Sequence, residues 1–236
     1  MSFLKDMDYY HYISNTKVDM LYPQIPQEFL DGIKVELGFN IGILQGKLAG
    51  QHHDRNTTVA RAKAIETFFE KEGLLKPEII EGMWLQTEFT ARTGFLPDCP
   101  GLVLFGGRID DTVLLLAGSE ANMTSGSPNQ GNSQGWSFMP RVLHALNDFL
   151  RRDFDLLVNE TIGDSYSGKC AASMVFGGED HVRAGAMFHA FLNLPKDALP
   201  EPEVNLSFLA RIFLVRSNQR GERLAIGSPL YISERT

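Results

Sequence analysis

The feature that most constrains the fold is a pair of similar segments built around Phe-Gly-Gly. Residues 102–119 (LVLFGGRIDDTVLLLAGS) and 173–190 (SMVFGGEDHVRAGAMFHA) each carry an apolar run ending in Phe-Gly-Gly, an acidic turn and a second apolar run. Two apolar runs around a short turn predict a β-hairpin, because glycine adopts the positive φ that tight turns need. Residues 221–233 predict a third, looser hairpin.

Periodicity adds strands and helices to these hairpins. Residues 9–14 and 83–93 predict strands, and apolar side chains at every second position from Val35 to Ile43 predict another. Capping residues and 3.6-residue periodicity predict a short helix from Asn15 or Thr16 and helices over 27–33, 57–73 and 137–153. Residues 204–217 fit either a helix or a strand, and the spacing of Leu206, Leu209, Ala210 and Phe213 favours a helix. Because hairpins outnumber strand–helix–strand units, we expect an α+β fold, a mostly antiparallel sheet with several helices packed on one face.

No compositional break divides the chain, so one α+β domain is expected over residues 1–236. Residues 119–135 hold almost no bulky side chains and predict a long mobile loop, of the kind that serves as a functional lid or is simply disordered.

Charge and cysteine content limit the compartment and the partners. A net charge of −7 disfavours a protein that grips duplex nucleic acid, since such proteins need a basic face. Two cysteines, Cys99 and Cys170, are too few for a disulfide framework and favour a reducing cytoplasm, although one bridge between them stays open. The first 14 residues carry no secretory pattern and no apolar run could span a bilayer, which predicts a cytoplasmic protein without membrane partners.

The stretch GDSYSGKC, residues 163–170, nearly matches two catalytic signatures. As a phosphate-binding loop it carries Cys170 where Ser or Thr should hold magnesium, which prefers oxygen ligands, and the following segment is too short for the required helix. As the nucleophile block of a serine esterase, Ser165 lacks a downstream Asp-x-x-His pair. We interpret the stretch as the entry into the second hairpin.

No other motif predicts a metal or a cofactor. His52, His53 and Asp54, with Asp180 and His181 further along, offer ligand types that metals use. Adjacent histidines do not share a helix face, however, and their polar neighbours are typical of a solvated loop. We therefore expect no metal site.

One junction predicts an anion site. Ser14 and Lys17 stand where the first strand meets the first helix, and amides at a helix start with a lysine one turn in can hold a phosphate. Plain helix capping explains the same residues. Arg108 follows two glycines in a predicted turn, while Ser119 and Asn122 open the predicted loop.

Three stretches resemble an uncharacterised family of bacterial proteins. They are YYHYISNTKVDMLYPQIP at residues 9–26, with its Tyr-x-Tyr-x-Ser-x-x-Lys-x-x-Met-Leu signature, FGGRIDDTVLLLAGSEANM at 105–123 and IGSPLYIS at 226–233. Domains related to this family resemble components of bacterial conflict systems, including antiviral defence, in which sensor modules bind nucleotide signals. The resemblance therefore implies a ligand site formed by the shared residues Tyr12, Ser14, Lys17, Arg108, Ser119, Asn122 and Ser228.

Three functions follow as hypotheses. The favoured one is a soluble ligand-binding or sensor module of a bacterial conflict system that recognises a nucleotide-like anion. The second is a hydrolase whose site is not legible in the sequence, with Ser165 and His181 as its only candidates. The third is a scaffold that binds a protein partner or a second copy of itself. The sequence leaves open whether the chain catalyses a reaction.

Overall fold

The structure, a computed structural model, describes residues 8–37, 55–95, 101–124, 199, 202–217, 221 and 223–235. Within these residues, helices α1, α2 and α3 span Asn15–Leu21, Gln27–Leu37 and Arg55–Lys71, and 3₁₀ turns span Tyr22–Gln24 and Glu120–Asn122. The strands are β1 (Asp8–Ile13), β2 (Leu75–Lys76), β3 (Trp84–Phe95), β4 (Leu102–Ile109), β5 (Thr112–Ser119), β6 (Val204–Ser217) and β7 (Arg223–Arg235).

Five of these strands close into a mixed β-barrel. Their order is β3-β4-β5-β7-β6, and β6 pairs with β3 to complete the circle. Neighbours are antiparallel except β5 and β7, which are parallel. Strand β3 links the two ends of this order, because its residues 84–91 pair with β6 and its residues 90–95 pair with β4. Strand β1 lies beside the end of β7, and β2 lies beside the start of β3.

This strand order, with its one parallel pair, is that of the OB-fold, a five-stranded Greek-key barrel. OB-folds often bind oligonucleotides on the face formed by their second and third strands, which correspond here to β4 and β5. In this chain both faces of that hairpin are buried, since Leu104 and Leu115 on the outside are as inaccessible as Phe105 and Leu114 on the inside. Both faces of the described hairpin are therefore covered.

Two apolar clusters stabilise the molecule. One fills the barrel and includes Phe89, Phe105, Phe208 and the ring of Tyr12. The other lies outside the barrel, where α1 and α3 cover β1, β6 and β7. Its centre is formed by Ile13, Val18, Ile65, Leu209 and Tyr231. The alternation of β6 explains the division, because its even-numbered residues from Leu206 to Ile212 face inward while Leu209 faces the helices.

The expected α+β fold, an antiparallel sheet with helices on one face, is wrong, because strands predominate and close on themselves. Much of the error comes from residues 204–217, predicted as a helix and found as the strand β6. A strand buried on both faces presents a nearly continuous apolar run, which periodicity cannot distinguish from a buried helix. The looser hairpin expected at 221–233 is also wrong, because 223–235 form the single strand β7.

The strand expected from Val35 to Ile43 is wrong where it can be checked, since α2 continues to Leu37. Residues 38–43 lie outside the described residues, as do the second Phe-Gly-Gly hairpin, the stretch 163–170, the helix expected at 137–153 and the loop beyond Thr124. The strands expected at 9–14 and 83–93 and the helix ending before Gly73, whose φ is +67°, are confirmed.

The first hairpin is confirmed as β4 and β5, but the reason given for its glycines is wrong. The positive φ in the turn belongs to Asp110, at 51°, and Gly107 lies within β4. A Cβ on Gly107 would lie 2.1 Å from the carbonyl oxygen of Thr90 on β3. The glycine is needed because β3 and β4 approach closely where β3 bends between its two partners.

Candidate functional site

The candidate site begins where β1 turns into α1. The backbone N–H of Ser14 donates to the carbonyl of Leu230 on β7 (2.8 Å), which fixes the start of the helix against the barrel. The Ser14 hydroxyl accepts a hydrogen bond from the backbone N–H of Lys17 (3.4 Å) and so caps α1. Because Ser14 is buried, this cap holds Lys17 over the outer face of β7.

The ammonium group of Lys17 ends on two neutral oxygens of β7. It donates to the carbonyl of Pro229 (2.6 Å) and to the hydroxyl of Ser228. Among the residues that the structure describes, no carboxylate pairs with it. Burial without a counter-charge lowers the pKa of Lys17 to about 7, so both protonation states are populated near neutral pH.

Tyr12 connects this helix start to the end of β5. Its hydroxyl accepts a hydrogen bond from the Asn122 side chain (3.4 Å) and lies close to Ser14 and to the backbone of Ser119. Burial raises the pKa of Tyr12, so the phenol stays neutral. Gly118 makes room for the ring, since a Cβ there would lie 2.5 Å from it.

All the predicted residues except Arg108 therefore meet at this junction. We use the name Lys17 cluster for the side chains of Tyr12, Ser14, Lys17, Asn122 and Ser228 together with Asn15, which was not predicted. Ser119 adjoins the cluster through its backbone. Arg108 does not join them: Ser119 pairs with Leu102, six residues along β4 from Arg108, which is about 20 Å of strand. The expected turn position of Arg108 is also wrong, because it is an exposed residue of β4.

Two residues of this region were missed from the sequence. Asn15 donates from its backbone to the Asn122 side chain (3.4 Å), and only its place beside Ser14 could have suggested this contact. Arg211 lies directly opposite Ser228 in the β6–β7 ladder and opposite Trp84 in the β3–β6 ladder. A helix prediction for 204–217 hid that pairing.

A second polar cluster lies between α3 and the barrel. The ammonium group of Lys63 is 3.1 Å from carboxylate oxygens of both Asp8 and Glu66, and Gln86 donates to Glu66. Burial alone would lower the pKa of Lys63, but the neighbouring Glu66, Tyr10 and Asp8 raise it above its usual value. Every charge in this cluster has an opposite partner, which is typical of a structural ion-pair network.

The described residues contain no group of three or more His, Cys, Asp or Glu side chains that could hold a metal ion. None of the helices in the described ranges is both long and apolar enough to cross a membrane.

Comparison with known proteins gives one match. The model of a family of unknown function, DUF7019, matches residues 8–235. The chain belongs to the DUF7019 family. No significantly similar curated protein or solved structure was found. DUF7019 membership supports the predicted resemblance to a family without known function, and the link to bacterial conflict systems stays a prediction.

Proposed function

We propose that this DUF7019 protein is a ligand-binding module that recognises a nucleotide-like anion through Lys17. Its use as a sensor in a bacterial conflict system is part of the same proposal and is supported only by the family resemblance. Cytoplasmic location and the absence of nucleic-acid and membrane partners stay predictions, as do a protein partner and self-association.

The observation that carries this proposal is the electrostatic state of Lys17. Its ammonium group is held by a hydroxyl and a carbonyl, both neutral, and no described carboxylate balances its charge. A buried cation without a counter-charge destabilises a fold unless something restores the balance. An anion supplied by a ligand restores it, and ionisable groups with strongly shifted pKa values are enriched at functional sites.

The other members of the Lys17 cluster position the lysine. The Ser14 hydroxyl is used by the helix cap, and the Asn122 side chain is shared between Tyr12 and Asn15. These contacts tie β1, α1 and the end of β5 together. The third N–H of the Lys17 ammonium group has no described acceptor, and it supplies the donor for the anion.

The experiment is a ligand panel read by thermal unfolding at pH 6.5. Mononucleotides, cyclic nucleotides and dinucleotides are compared on the wild-type protein and on Lys17→Met, which keeps the length of the side chain and removes its charge. We expect at least one nucleotide to raise the Tm of the wild-type protein and to leave the Tm of Lys17→Met unchanged, because ligands that bind the native state stabilise it.

The matched control is Lys71→Met, which removes a charge from the exposed end of α3. This variant should respond to the same nucleotide as the wild-type protein does. Equal responses of the wild-type protein and Lys17→Met, or no response of the wild-type protein to any nucleotide, would contradict the proposal.

A hydrolase is less well supported. A serine next to a lysine can act as an activated nucleophile, and Ser228 lies next to Lys17. In the structure, however, the Lys17 ammonium group donates to the Ser228 hydroxyl, whereas a base that activates a serine must accept the hydroxyl proton. The hydrolase candidates from the sequence, Ser165 and His181, lie outside the described residues.

A further inference from the structure

A second cation lies beside the Lys17 cluster. Arg211 on β6 faces Ser228 on β7 as a direct antiparallel partner, and such partners have Cβ atoms about 5 Å apart on the same face of the sheet. That face is the outer one, because Ala210 and Ile212 on either side of Arg211 point into the barrel. Lys17 contacts the same Ser228 from the helix above.

The charge of Arg211 is also unbalanced. Its side chain is exposed, and among the described residues no carboxylate pairs with it. The described acids of neighbouring elements have other partners: Asp19 pairs with Arg61 (2.7 Å) and Glu81 pairs with Arg216 (2.8 Å). Two cations therefore lie within reach of one hydroxyl with no described anion between them.

We infer that Arg211 and Lys17 together form a phosphate site over Ser228, which selects ligands carrying a doubly charged phosphate group. This inference rests on the proposed function and adds the ligand class to it. The guanidinium group presents a planar pair of N–H donors that matches two oxygens of a phosphate, while the ammonium group acts as a point charge on a third. A carboxylate of single charge balances only one of the two cations.

The test is calorimetric titration at pH 7.0, where a large share of the Lys17 side chains is charged, with inorganic phosphate, with pyrophosphate and with acetate. The variants are Lys17→Met, Arg211→Gln and Arg211→Lys, and Arg92→Gln serves as a control because it removes another arginine from the barrel surface, where it pairs with Glu203 (3.3 Å). Thermal unfolding of each variant confirms that it is folded.

We expect phosphate or pyrophosphate to bind the wild-type protein and Arg92→Gln alike, with acetate much weaker. Arg211→Gln should weaken phosphate binding about 10-fold to 100-fold, the effect of losing a charge-assisted hydrogen bond. Arg211→Lys should recover part of the loss, since it restores the charge without the planar pair of donors.

The outcomes separate the two proposals. Phosphate binding that depends on Lys17 but is unchanged in Arg211→Gln overturns the role of Arg211 and leaves the proposed function standing. Acetate binding as tight as phosphate binding overturns the selectivity for a doubly charged group. Binding of phosphate that is unaffected by Lys17→Met overturns both proposals, as does the absence of binding of every probe to the wild-type protein.

Discussion

Lys17 destabilises the fold that holds it, and this cost has a defined pH dependence. Its pKa is about 7 in the folded protein, against 10.5 for a free lysine. Below pH 7 the ammonium group is charged in both states, so the full cost of burying it is present. Between pH 7 and 10.5 the folded protein has released this proton while the unfolded chain retains it, so stability rises with pH across that window.

Lys17→Met should remove this pH dependence. Between pH 6 and pH 9 we expect the free energy of unfolding of the wild-type protein to increase by about 2–3 kcal/mol relative to Lys17→Met, since one pKa unit corresponds to about 1.4 kcal/mol. Urea unfolding at several pH values without added anions measures this difference. If the free energy of unfolding of the two proteins changed with pH in the same way, the pKa of Lys17 would not be lowered in the folded protein.

At the scale of elements, α3 is held to the barrel by charge as well as by apolar contacts. Lys63 links Glu66 on its own helix to Asp8 on β1, and Gln86 on β3 donates to Glu66. Burial raises the pKa of Tyr10 beside this network to about 12, so the phenol remains neutral there. The network connects one helix to two strands that are distant in sequence.

Glu66→Gln should therefore destabilise the protein by about 1–3 kcal/mol, because it leaves the partly buried Lys63 with one carboxylate in place of two. Urea unfolding at pH 7 measures the change. Glu70→Gln, one turn further along the exposed side of α3, should stay within about 0.5 kcal/mol of the wild-type value. If both substitutions changed the free energy of unfolding equally, Glu66 would contribute no more to stability than an exposed glutamate does.

Local signals explain which elements the sequence could predict. β1, the capped helix α1 and the β4–β5 hairpin each depend on residues that are neighbours in the chain. Strand β6 could not be recognised, because its burial on both faces removes the alternation that marks a strand. The candidate site followed the same rule. Ser14 and Lys17 were predicted from their spacing and Asn122 was noted at the start of the predicted loop, whereas Ser228 came only from the family resemblance. Arg211 was not predicted, because its place beside Ser228 depends on the β6–β7 register.

At the scale of the whole molecule, closure gives each barrel strand in the described ranges two neighbouring strands. Strand β3 pairs with β6 along residues 84–91 and with β4 along residues 90–95. The open sheet expected from the sequence would have left an edge strand. Closure is set by pairing between segments more than 100 residues apart, which no local pattern reveals.

Hydrogen exchange distinguishes these two architectures. We expect the amides of residues 84–91 that donate to β6 to exchange as slowly as those of the β4–β5 hairpin, because closure makes both part of one cooperative unit. Exchange measured by NMR or mass spectrometry at pH 7 gives both rates. Fast exchange at 84–91 alongside a protected hairpin would indicate an open barrel.

The pairing of β1 with β7 also gives the molecule a mechanical direction. Asp8 lies opposite Arg235 and Ile13 lies opposite Tyr231, so the two outer ends of this ribbon are side by side. A force that pulls residues 8 and 235 apart acts on the hydrogen bonds between β1 and β7 one after another. Strands separated in this order come apart at low force. Peeling of β1 reaches Ser14, whose amide donates to Leu230, and the segment that follows carries Lys17. Tension on these two ends would therefore displace Lys17 from Ser228 and release the anion that we propose it binds.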